Sequence, residues 1–192
     1  MTLTLPNLLS MLRMGLVPLF IIAVMNGHPG QALVLMIVAG ITDFLDGVMA
    51  RRLEQQTLLG SYLDPIADKL LLTSAYVVLA VPGIHPGVTI PVWVTVLVLA
   101  RDISILGIAL VLSLTVGKRR FPPTWLSKVN TAVQVAAVLL VLVSGLWSLA
   151  ATAALIAVHL AGLSTVLSGL QYGHRVARWQ SPPADGAAPD TH

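Results

Sequence analysis

Five of the eight acidic residues, Asp43, Asp46, Asp64, Asp68 and Asp102, lie in stretches otherwise apolar enough to sit in a bilayer. An ionised aspartate at the centre of a membrane helix costs about 2.5–3.5 kcal/mol on insertion scales. Such residues need cations, a cavity or one another. Their spacing decides between these. Asp43 and Asp46 are three apart and Asp64 and Asp68 four apart, so each pair shares one helix face. A short loop near residues 54–59 joins the two stretches, which should pack as antiparallel neighbours and bring four carboxylates into one pocket. Four close carboxylates do not all ionise without cations between them. Oxygen-only donors select hard ions such as Mg²⁺ or Mn²⁺, and four negative charges balance two divalent ions. Paired divalent ions about 3.5–4 Å apart suit displacement at phosphorus.

The residues around the acids fit phosphate chemistry. Gly47 and Ala50 follow Asp46, and Gly60 stands one turn before Asp64. Small residues there let helices and ligands approach closely. Arg51 can fork onto phosphate oxygens. A divalent-cation transporter would use similar acids, but transporters commonly repeat their interrupted helices in both halves. Here the acids cluster in one region with no later counterpart.

Composition dictates the elements that must hold these groups. The chain has 192 residues, 56% hydrophobic and 10% charged, with a mean hydropathy of +0.88. Soluble domains carry about 25% charged residues, so a water-soluble globule is excluded. With no cysteine there is no disulfide, zinc-thiolate or iron–sulfur chemistry. Six apolar stretches, at about 7–26, 31–53, 60–81, 91–116, 124–145 and 147–170, each approach the 20 or so residues a span requires. The break near Gly145 is the least marked. The expected fold is all-α, a six-transmembrane-helix bundle occupying residues 1–179. A polar Pro/Ala-rich tail over 180–192 is expected to be disordered.

The basic residues orient the bundle. Arg51 and Arg52, then Lys118, Arg119 and Arg120, then Arg175 and Arg178 follow the second, fourth and sixth spans. Both termini and the active-site opening therefore face the cytoplasm. The chain has no basic leader before its first apolar run, which leans toward a bacterial inner membrane.

Residues 43–68 read DFLDGVMARRLEQQTLLGSYLDPIAD. This resembles the CDP-alcohol phosphotransferase signature, D-x-x-D-G-x-x-A-R, eight residues, then G-x-x-x-D-x-x-x-D, with every fixed position present. The resemblance runs from Pro6-Asn7 through Gln171. It implies a six-helix, homodimeric membrane enzyme that transfers a phosphatidyl group from CDP-diacylglycerol to an alcohol and releases CMP. It further implies that Asp43, Asp46, Asp64 and Asp68 hold two divalent cations, and that Asp68 is also the catalytic base on the acceptor hydroxyl. Gly47, Ala50 and Arg51 would line the cytidine-diphosphate site, with Gly60 allowing close helix contact beside it. No nucleic-acid partner is expected.

Further stretches resemble the eukaryotic-type cardiolipin synthase branch. They are Pro6–Ser10 with Arg13, Leu59-Gly60-Ser61, Arg101-Asp102, the block from Ser127 to Gln134, and Tyr172-Gly173-His174-Arg175. That branch implies phosphatidylglycerol as acceptor; glycerol-3-phosphate stays open as the alternative. Asn7, Arg13, Arg101, Lys128, Asn130 and Gln134 are the candidate donor or acceptor contacts, Arg13 facing the pocket near Asn7. Arg101 and Asp102 are adjacent on a helix and are expected not to face each other. Lys69 is expected to snorkel toward the membrane interface.

Overall fold

A computed structural model describes the backbone at residues 5–53, 58–115 and 125–180, and side chains at 11–45, 69–107 and 125–173. It contains six α-helices and, among the described residues, no strand: α1 (Leu5–Met25), α2 (Pro29–Leu53), α3 (Leu58–Leu79), α4 (Val92–Thr115), α5 (Trp125–Ser144) and α6 (Ala151–Gln180), with a 3₁₀ turn at Ser148–Ala150 before α6. The helices have 20 to 30 residues. At about 1.5 Å per residue each is about 30 Å or longer. Of the tail expected to be disordered, 180–192, Gln180 ends α6 and the rest lies outside the described residues.

Local chemistry sets the boundaries. Gly27 at φ 68° closes α1. The Gly27 amide donates to the Val24 carbonyl at 2.9 Å and the His28 amide to the Ala23 carbonyl at 3.0 Å, the paired bonds of a Schellman cap. Pro29 then opens α2, where its missing N–H costs nothing. At the break near Gly145, α5 stops at Ser144 and the chain turns before α6.

Packing uses small residues on heptad-like stripes. In α6 the stripe is Ala154, Val158, Ala161, Thr165 and Ser168; in α2 it is Ala32, Met36 and Ala39. Both let neighbouring backbones approach. Among the described residues α5 packs chiefly on α6, and α1 packs on both α2 and α3. The expected direct α2–α3 contact is therefore mediated by α1 over the described portions. Phe20 and Val24 of α1 are buried beside Ala75, Tyr76 and Leu79 of α3 in the same core. α6 also contacts α4, and α2 contacts α5.

Among the described residues two segments, Trp125–Ser144 and Ser148–Gly173, are long and apolar enough to cross a membrane. Only 33% and 28% of their most apolar windows are fully buried; most of α5 is buried or half-buried, whereas much of α6 faces outward. Core helices of a soluble protein would instead be mostly covered.

Candidate active site

The signature spans two helices. Asp43, Asp46, Gly47, Ala50 and Arg51 lie on α2, and Gly60, Asp64 and Asp68 on α3. Asn7 lies on α1. Of these, only Asp43 has a described side chain; the side chains of Asn7, Asp46, Ala50, Arg51, Asp64 and Asp68, and the surroundings of Gly47 and Gly60, lie outside the described set.

Asp43 is held from α1. The Gly27 turn folds α1 and α2 into a hairpin, which sets Arg13 opposite Asp43. Arg13 Nη1 lies 3.1 Å from Asp43 Oδ1, with the arginine side chain 1% exposed and the aspartate 49% exposed. A buried guanidinium thus pairs with a carboxylate that still opens outward. Arg13 faces the signature helix rather than lipid, which explains how an arginine stands inside an apolar helix.

The residue set fits a divalent cation in its chemistry. Carboxylate oxygens alone, at spacings of three and four on two helices, suit hard ions, and Asp43 is open enough to take part. Among the described residues no three metal-binding side chains converge, and three of the four signature acids lie outside that set.

A second polar cluster joins four helices. Arg101 of α4 folds back onto its neighbour, Nη1 donating to Asp102 Oδ1 at 2.7 Å. This corrects the expectation that the two do not face each other: adjacent Cα–Cβ bonds do diverge, but a guanidinium on three methylenes can curl back. Arg101 Nη2 donates to Ser127 Oγ of α5 at 2.6 Å and to Ser168 Oγ of α6 at 2.9 Å. Lys69 of α3 places Nζ 3.5 Å from Asp102 Oδ1 and is 33% exposed. It therefore turns to α4, where the expectation had it snorkel toward the interface, because the largely covered Asp102 carboxylate lies within reach of its long stem.

The remaining candidates divide by burial. Lys128 is exposed. Asn130 and Gln134 are fully buried at the α5–α6 seam. Ser164 Oγ lies 2.7 Å from Asn130 Oδ1, and Gln134 Nε2 donates to Thr165 Oγ1 at 3.0 Å. Gln134 also contributes its backbone carbonyl, which accepts from the Tyr76 hydroxyl of α3 at 3.2 Å. Both side chains are thus engaged in joining helices. Their partners went unnoticed in the sequence, although Ser164, Thr165 and Ser168 put three hydroxyls on just over one turn of an apolar helix, a pattern typical of interhelical bonding.

An apolar groove of about 360 Å³ runs between α2 and α5, lined by Met36, Gly40, Phe44, Leu45, Val135 and Leu139 among others, Phe44 being the residue after Asp43.

The sequence matches known proteins over this whole region. A family model for CDP-alcohol phosphatidyltransferases matches residues 3–164. A Mycobacterium tuberculosis protein named "Probable phosphatidylglycerophosphate synthase" is 37% identical over 182 residues, covering 91% of this chain and 82% of the relative. A Rattus norvegicus "Cardiolipin synthase (CMP-forming)" is 36% identical over 147 residues, 68% of this chain and 47% of the relative. A Drosophila melanogaster "Probable cardiolipin synthase (CMP-forming)" is 35% identical over 186 residues, 88% of this chain and 56% of the relative. The chain spans about half the length of these two cardiolipin synthases. With the model covering most of its length and the signature inside the match, the chain belongs to the CDP-alcohol phosphatidyltransferase family and is an enzyme of that class.

Proposed function

We propose that the protein is a six-span membrane enzyme that transfers the phosphatidyl group of CDP-diacylglycerol to phosphatidylglycerol, forming cardiolipin and releasing CMP. Asp43, Asp46, Asp64 and Asp68 would hold two divalent cations, Mg²⁺ or Mn²⁺, in a pocket opening to the cytoplasm of a bacterial inner membrane. The working form would be a homodimer of the 1–179 membrane domain. The observation that carries this reading is the unbroken signature over 43–68, inside the family match, with its first carboxylate half-exposed and backed by buried Arg13. The groove beside Asp43 supports a lipid substrate, since its apolar walls suit an acyl chain. Six helices of about 30 Å or more suit the spans.

The chemistry of this chain's residues follows. When bound, paired divalent cations neutralise a diphosphate and stabilise the departing phosphate. Arg51 pairs with the diphosphate oxygens, and Gly47 and Ala50 leave room for the cytidine portion, with Gly60 keeping the two helices close. Asp68 accepts the proton of the acceptor hydroxyl as its oxygen bonds to the phosphatidyl phosphorus and the bond to CMP breaks. Arg101 and Lys128 remain the candidates for contacts to an anionic headgroup. Asn130 and Gln134 act there only indirectly, through the α5–α6 seam that carries Ser127 and Ser168.

Acceptor choice rests on the block from Ser127 to Gln134, which resembles the cardiolipin synthase branch, and on relatives so named. A second reading, glycerol-3-phosphate as acceptor, is favoured by the relative named phosphatidylglycerophosphate synthase, which aligns over most of both chains. The test supplies purified protein with CDP-diacylglycerol, Mg²⁺ or Mn²⁺, and each acceptor in turn. CMP release with phosphatidylglycerol alone is expected. Release with glycerol-3-phosphate alone favours the second reading, and no CMP release with any alcohol acceptor overturns both.

A further inference from the structure

Two polar ties join α3 to α4, and their spacing is the same on both helices. Lys69 Nζ meets Asp102 Oδ1 at 3.5 Å. The Thr95 hydroxyl donates to the Tyr76 carbonyl at 3.2 Å. Tyr76 lies seven residues after Lys69, and Thr95 seven before Asp102. Seven residues are nearly two full turns, so both ties fall on one stripe of each helix, in a single antiparallel register. The two helices share little other contact among the described residues. The ties stand about 10.5 Å apart along α3, so each holds the rotation of the helix at its own level, the Lys69 tie at the level of the signature and the Thr95 tie nearly two turns beyond it.

The Lys69 end of this lock is itself anchored. Asp102 is held by Arg101, which bonds Ser127 on α5 and Ser168 on α6. Lys69 therefore ties α3 to a node that already joins three other helices. Lys69 immediately follows Asp68, the last residue of the signature. Successive residues on a helix are separated by about 100°, so fixing the azimuth of residue 69 fixes that of the face carrying residues 64 and 68.

We infer that Lys69 is a positioning residue, and that its ion pair with Asp102 sets the rotation at which α3 presents Asp64 and Asp68 to the metal site. The inference rests on the metal-site reading proposed above. Lys69 acts through α3, without touching substrate.

The experiment compares wild type with Lys69→Met, Lys69→Arg and Thr95→Val, purified in nanodiscs. Mn²⁺ binding is measured directly by the electron-paramagnetic-resonance signal of free Mn²⁺, and CMP release gives kcat and KM for donor and acceptor. Lys69→Met should weaken Mn²⁺ binding about fivefold and lower kcat about tenfold, the scale of one lost charge pair, with both KM values within about twofold. Lys69→Arg, which keeps the pair, should restore most of both. Thr95→Val, at the far tie, should lower the unfolding temperature while leaving Mn²⁺ binding within about twofold. A Lys69→Met enzyme with unchanged Mn²⁺ binding overturns the inference, whether its kcat is normal or its acceptor KM has risen; a raised KM alone would make Lys69 a direct headgroup contact. Equal loss of Mn²⁺ binding in Thr95→Val also overturns it, since the effect would then be general loosening. If Lys69→Met does not fold, Lys69→Gln takes its place with the same readouts. If wild type binds Mn²⁺ yet releases no CMP, the activity reading fails while the binding comparison still decides the inference. If wild type binds no Mn²⁺, the inference fails with the metal site.

Discussion

Asp43 and Asp102 are both paired with arginine, and the contrast between them separates the aspartate proposed as a metal ligand from one that fastens helices together. Asp43 has a buried partner but is itself 49% exposed. Asp102 is 13% exposed and its Oδ1 is approached by two cations, Arg101 at 2.7 Å and Lys69 at 3.5 Å. The first keeps acceptor capacity facing outward. The second has two cations on one oxygen, and they tie it to α3, α5 and α6. Charge in an apolar environment demands compensation in both places. Where two protein cations converge the result is a fastening; where one pairs from a single side, the carboxylate keeps an outward face, as the proposed metal site requires.

Substitutions should break this contrast in a definite order. The largest effect falls on turnover at the open side. Asp64→Asn should cut CMP release by about a thousandfold or more while the protein still inserts and purifies, because a ligand charge is lost with almost no volume; Asp43→Asn should cut it as far and also cost stability, since it takes the partner charge from buried Arg13. Near-normal turnover would remove these residues from the metal site.

At the closed side the same chemical change should act on stability. Asp102→Asn leaves Arg101 buried with its charge uncompensated, and about 3–5 kcal/mol should be lost, read by denaturation in detergent micelles. The α5–α6 seam is uncharged and should cost less. Gln134→Ala, which leaves its buried partner Thr165 without that bond, should cost about 1–3 kcal/mol. Exposed Lys128→Ala should change stability by less than about 0.5 kcal/mol.

The smallest effect concerns the α3–α4 loop. His85 Nδ1 accepts from the Gly87 amide at 3.1 Å, so Nε2 carries the proton and faces the Leu79 carbonyl at 3.4 Å. Burial lowers its pKa below 6.5, partly opposed by the Leu79 contact. The neutral form is favoured in the fold, so its contribution is complete above about pH 6.5 and declines as pH falls through the depressed value. Unfolding temperature in wild type should drop more steeply between about pH 6.5 and 5 than in His85→Gln.

Much of this was legible in the sequence because apolar length and turn chemistry are local. The expected spans match the helices to within a few residues at most ends. The exception is α6, which continues to Gln180 because Tyr172, His174 and Arg175 end the apolar run without breaking a helix. The signature was legible because its spacings are helical periods. The node around Asp102 was not. Rules for which neighbours face one another describe Cα–Cβ directions, and both Arg101 and Lys69 reach beyond those directions on long flexible stems. Asn130 and Gln134 stood out as polar, but their partners lie some thirty residues away on α6, a pairing that only packing determines.

The central claim is tested most directly by counting Mn²⁺ ions bound per chain at equilibrium, in wild type and in Asp64→Asn. Two ions in wild type, with loss of at least one in the variant, is the predicted result. Binding that is absent from wild type, or unaltered by the substitution, would contradict it.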